Sequence, residues 1–187
     1  MASLSFADIK KEFDESLGYI RNDITAVRHG KHTVNYTVAL LIGCGCEMLA
    51  AGRSDRKHPE KILAELLPPG DWRLLAAKLH TALRNGLAHG FDTKYLQVDG
   101  ATIQIYISWG YHEAIGTQRV PGGLGLYIGI QPLAEALCAK IGQFEETLRR
   151  DEPARRRFKD ACEYQRIVKL SPNAAAAWRR LVAASRC

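Results

Sequence analysis

The 187-residue chain has no CxxC pair, no low-complexity stretch, no repeat that runs its length and no clean apolar run long enough to span a membrane. Each absence narrows the choice. Five cysteines (Cys44, Cys46, Cys138, Cys162, Cys187) cannot all pair within one chain. A chain of this length buries about 70% of its unfolded surface and needs no disulfide or metal staple. A reducing, cytoplasmic setting is the expectation. The opening MASLSFADIKKEFDESLGY is acidic and amphipathic and lacks the apolar core of a secretory signal. The most apolar segment, VNYTVALLIGCGCEMLAAG from Val34, is broken by Asn35, Thr37, Gly43, Gly45 and Glu47. It reads as a central buried helix, with no membrane partner expected. His29 and His32 with Cys44 and Cys46 invite a zinc reading, but Cys44 and Cys46 point roughly 200° apart on a helix. No metal and no other cofactor is expected.

What the chain does have is an ordinary globular composition, 47% hydrophobic and 25% charged, and a formal net charge of +6. Wholesale disorder is excluded. The charge is unevenly placed. From Arg149 to Cys187 there are eleven Lys and Arg against four Asp and Glu, a net +7, while the preceding 148 residues carry −1. A polyanionic partner, if there is one, is expected at the C-terminal end.

Periodicity sets the fold class. Phe6, Ile9, Phe13, Leu17, Ile20, Ile24 and Val27 recur in steps of three and four, a single helical stripe. The buried helix from about Thr33 to Ala51 follows, then a short helix from Pro59 to the Pro68-Pro69 stop. Asp71 is expected to cap the next helix, DWRLLAAKLHTALRNGLAHG. The period then changes to two. YLQVDGATIQIYIS carries an Asp99-Gly100 turn signal and LGLYIGIQ alternates, with WGYHEAIGTQRVPGG between them as a loop. The expectation is a mainly α helical bundle over 1–150, with a three-stranded antiparallel β-meander at about 95–131 inserted between its fourth and fifth helices. Residues 151–187 are expected to form a basic C-terminal helical hairpin packed on the bundle or on a partner chain.

The stretch HTALRNGLAHGF, His80 to Phe91, is where chemistry is most legible. At 100° per residue Trp72, Leu75, Ala76, Leu79, Leu83 and Leu87 share one arc, and Arg84 falls nearly opposite. Asn85 and His89, four apart, stack on one side. These residue types suit RNA phosphodiester cleavage, in which the substrate's own 2′-hydroxyl attacks phosphorus. A histidine can accept or donate the proton near neutral pH. An arginine offers a permanent fork of donors to the charge that grows on the phosphoryl oxygens. One such set supplies one proton-transfer group; two copies across a two-fold axis supply both, so a homodimer is expected.

Arg84-Asn85-Gly86-Leu87-Ala88-His89 resembles the R-x(4–6)-H motif of HEPN-domain proteins, including their frequent polar residue after the arginine. The resemblance implies an all-helical bundle, a dimer, and metal-independent ribonuclease activity of the toxin–antitoxin or defence type. Arg84, Asn85 and His89 are then the catalytic residues, RNA the partner, and an antitoxin or other protein a second one. Some relatives carry a tyrosine two residues after the histidine as an acceptor for a nucleotide. Here that position is Phe91, which has no hydroxyl.

Outside the motif, the Arg155-Arg156-Arg157 cluster at a helix start opposes the helix dipole, which favours an anionic partner there. With His112 and Arg119 of the glycine-rich loop, these are the candidate RNA- or phosphate-binding residues. ACEYQRIVKLSPNAAAAWRRLVA resembles one junction between tetratricopeptide repeats, too few units for a solenoid. The contrasting expectation is a non-catalytic HEPN-like module that binds nucleotide, RNA or a protein.

Overall fold

The structure, a computed structural model, describes residues 3–29, 35–53, 58–86, 96–121 and 123–166, with 172, 174–177 and 179 beyond them. The first arm is one helical path. A 3-10 turn (Ala7–Ile9) leads into α1 (Lys10–Phe13), a π turn (Asp14–Gly18) and α2 (Tyr19–His29). Its stripe behaves as the spacing requires, with Ile9, Phe13, Leu17, Ile20 and Ile24 buried. α3 (Asn35–Gly52) runs through the centre and touches α4 (Pro59–Leu66) and both late helices, α6 (Ile130–Arg150) and α7 (Glu152–Arg166). α3 just reaches the length and mean hydropathy of a membrane span, yet Val38, Ala39, Ile42, Cys46, Leu49 and Ala50 are buried among its neighbours, as in a core helix.

Gly70, at φ 104°, makes the corner after α4 that other residues resist. Gly70 therefore occupies the cap position expected of Asp71, which instead begins a 3-10 turn (Asp71–Leu75). That turn continues into α5 (Ala76–Thr81) and a π turn (Ala82–Gly86). Ala76, Leu79, Ala82 and Leu83 are buried on this path, while Leu74 is 80% exposed. Leu87 and Phe91 lie outside the described residues.

The sheet departs from the expected meander. β1 (Leu96–Val98) and β2 (Ala101–Ile103) form a two-stranded hairpin whose turn uses Asp99 and Gly100, both at positive φ, as the Asp-Gly signal requires. The chain breaks at Gln104, and β3 (Ile105–Ser108) joins a separate sheet with β4 (Ile115–Val120) and β5 (Gly123–Gly129), in the order β3-β5-β4. β4 lies inside the segment expected to be loop. It pairs antiparallel with β5, while β3 pairs parallel with β5. The physical reason is closure. The β4–β5 hairpin closes the shorter loop and takes one edge of β5, which leaves β3 the other edge in the same direction as β5. Ile105, Ile115, Leu126 and Ile128 form the buried face against the helices.

α6 buries Leu133, Ala134, Leu137, Ile141, Phe144 and Leu148, again in steps of three, four and one. After Asp151 the chain re-enters helix at once as α7, whose Phe158 ring meets Phe13 at 6.2 Å and Phe144 at 5.8 Å between centroids. This trio locks the first arm, α6 and α7 into one core, so the first half of the expected C-terminal hairpin is packed on the bundle. Its second half lies mostly outside the described residues. The architecture is mainly helical with a small mixed sheet.

Candidate active site

Arg84 sits in the π turn at the end of the α5 path and faces α3. Its stem passes over Gly43, where a built Cβ would come within 3.3 Å of Arg84 Cδ. Its Nε donates to Glu47 Oε1 at 3.1 Å. The expectation that Arg84 lies opposite the buried arc is corrected. A π turn advances by a different angle per residue than the ideal helix, and the bare Gly43 backbone leaves room for the stem. The side chain remains 30% exposed and that of Glu47 37% exposed. An ion pair this wet contributes about 0–1 kcal/mol.

Four residues before Arg84, and so on the same side of the helix, His80 completes the cluster. It bonds to the Gly43 carbonyl. Nε2 is buried and has no hydrogen-bond partner among the described residues, which makes Nδ1 the donor. Burial holds the imidazole below its ordinary value, against the pull of Glu47 and the Gly43 carbonyl toward the charged ring. His80 was not among the residues expected to act, although the four-residue step to Arg84 was visible. The sign of its pH effect follows. As pH falls, the unfolded chain protonates this ring near 6.5, before the folded chain does. The stabilisation is therefore complete above that value and is lost as pH falls through the window below it. A thermal midpoint measured against pH should decline there in the wild type and more shallowly in His80→Gln.

Cys44 shares this seam. Burial pushes its thiol up, with Arg84 pulling it down and Glu47 adding to the rise, so it is a protonated thiol and a poor nucleophile. Cys46, buried on the opposite side of α3, is pushed up to about 12 for the same first reason. Cys44 and Cys46 are free thiols. Among the described residues no group of three His, Cys, Asp or Glu side chains converges as a metal site would need. The side chains of His29 and Asn85 lie outside the described residues, as do His32 and His89 altogether.

The candidate phosphate-binding residues separate. Arg155 is 9% exposed and its guanidinium is bound to main chain. Nε donates to the Leu4 carbonyl, and Nη1 to the carbonyls of Leu148 at 2.8 Å and Arg149 at 3.2 Å. It caps the C-terminus of α6, whose last carbonyls have no helical partner. Three of its five guanidinium donors are thus spent on the fold. Arg156 pairs with Glu152 at 2.6 Å on its own helix. Arg157, 3.8 Å from Asp151, lines a cleft between helices. His112 is exposed in the turn between β3 and β4, next to Tyr111, whose ring meets that of Tyr127 at a tilt of 37°, and Arg119 is exposed on β4. That turn is tied to the N-terminal end of α3, where Asn35 Oδ1 accepts from Trp109 N at 2.9 Å. Glu47 lies twelve residues further on, about 18 Å along the helix. Within one chain, His112 and Arg119 do not share a site with Arg84. No family model, curated protein or solved structure matches this chain.

Proposed function

We propose that the protein is a metal-independent endoribonuclease of HEPN type, acting as a homodimer in a toxin or defence role. The observation that carries the reading is Arg84, a fixed, part-exposed guanidinium bonded to a carboxylate at the seam of α3 and the motif helix. A carboxylate and a phosphodiester oxygen present the same chemistry to that fork, and the site already holds an anion in place. In the reaction the substrate 2′-hydroxyl loses its proton to a base and attacks phosphorus. The P–O5′ bond breaks, and the 5′-oxygen takes a proton from an acid. The products are a 2′,3′-cyclic phosphate and a 5′-hydroxyl. Arg84 stabilises the phosphoryl charge, His89 and its symmetry mate move the protons, and Asn85 orients the imidazole. To bind, the phosphate displaces Glu47 from Arg84.

The same ion pair favours a second reading, in which Arg84 and Glu47 simply join two helices of a non-catalytic module that binds RNA or protein. Cleavage of RNA in excess chelator separates the two. The nuclease cuts a ribose strand and spares its 2′-deoxy counterpart; the binding module cuts neither.

A further inference from the structure

We infer that the cleft where α3 ends between α6 and α7 is a phosphate-binding site, separate from Arg84. The cleft has a volume of about 320 Å³, and three cations from three parts of the chain line it: Arg53 just after α3, Lys140 on α6 and Arg157 on α7. Gln143 and Thr147 add polar atoms, and Phe144 makes an apolar wall. The wall is closely built, since a Cβ on Gly52 would lie 2.6 Å from Phe144 Cζ. The volume is at the low end of the roughly 300–1,000 Å³ typical of small-ligand sites, a fit for one nucleotide-sized group.

The charges around it do not cancel. Glu65 accepts from Arg53 Nη1 at 3.0 and 3.1 Å and from Lys140 Nζ, so one carboxylate serves two cations. Burial raises that carboxyl, but the bonds from Lys140 and Arg53 outweigh it and keep Glu65 ionised. Asp151 reaches Arg157 only at 3.8 Å. Among these five groups one positive charge is left over, and two planar guanidinium forks and an ammonium suit a ligand with several oxygens.

The start of α7 points the same way. α7 begins at Glu152, and three successive arginines occupy its fourth to sixth positions. Arg155 is absorbed by the carbonyls of α6 and Leu4, and Arg156 by Glu152. Arg157 is the member of the cluster that lines the cleft, where a bound phosphate offsets its charge.

The test is isothermal titration of the full chain with inorganic pyrophosphate and, separately, with a 12-nucleotide RNA. Wild type, Arg157→Gln, Arg53→Gln and Glu65→Gln are compared. Each arginine is about 40% exposed, so the variants keep the fold. Loss of either arginine, which removes charge-assisted hydrogen bonds to the phosphate, should weaken binding at least about fivefold and reduce the salt slope by about one charge for RNA. Glu65→Gln should tighten it. Binding of pyrophosphate alone assigns the cleft to a small phosphorylated ligand, and binding of both assigns it to the RNA backbone. No binding of either probe, or binding that Arg157→Gln leaves unchanged, overturns the inference. Because the readout is affinity, it stands or falls independently of whether the protein cleaves RNA.

Discussion

Replacing Arg84 by alanine should slow RNA cleavage by about 10²–10³-fold, the usual cost of removing one donor that meets transition-state charge. The same change should cost no more than about 1 kcal/mol of stability, because its ion pair with Glu47 is wet and roughly a third exposed on both sides. This split distinguishes a catalytic arginine from a structural one. Arg84→Lys keeps a charge but loses the fork, so it should recover only part of the rate. A thermal melt and a single-turnover cleavage rate on the same preparations give both numbers. An Arg84→Ala protein that melts well below the wild type yet cleaves at the same rate would make the arginine a helix tie and nothing more.

Arg155→Met should be the most damaging of the arginine changes to the fold, at about 3–4 kcal/mol, although its neighbours in sequence look identical. Its guanidinium serves three main-chain carbonyls, and Glu152 completes the clamp by accepting from Leu4 N at 3.1 Å and Ser3 Oγ at 3.1 Å. Methionine replaces the volume but leaves the Leu148 carbonyl buried without its donor, and unmade charge-assisted bonds cost about 1.5–3 kcal/mol each before relaxation. For a chain of this size the melting temperature should fall by roughly 10 °C. Arg156→Met, which removes the part-buried bond to Glu152 within one helix turn, should change it by less than about 3 °C. Thermal unfolding followed by far-UV circular dichroism checks both, and equal shifts in the two variants would refute the capping role.

The contrast between Arg155 and Arg156 shows where the sequence stops being informative. Helical stripes were legible because burial repeats locally, and Ile9, Phe13 and Leu17 sit where the spacing puts them. The Asp99-Gly100 hairpin was legible for the same reason, a local backbone demand met by two residues. β4 was not, because IGTQRV carries a glycine and three polar residues and is a strand only through its pairing with β5. The parallel partner of β5 is a long-range choice that no local pattern encodes. Arg155 meets Leu4 across 151 positions, so a charge count could only see it as part of a basic run. At the site, the motif pointed to Arg84, but its direction depended on a π turn and on the missing side chain of Gly43. Partitioning the net charge pointed to residues 149–187, and the structure divides that excess again. One arginine holds the fold together, one pairs within its own helix, and one faces a cleft shared with Arg53 and Lys140.

The most direct test of the central claim is a cleavage assay in excess chelator, with wild type and His89→Ala acting on one RNA and on its 2′-deoxy counterpart. The account predicts that the wild type cuts only the RNA and leaves a 2′,3′-cyclic phosphate, and that His89→Ala does so at least about 10²-fold more slowly. Equal rates for the two proteins, cutting of the 2′-deoxy strand, or no cutting by the wild type would contradict it.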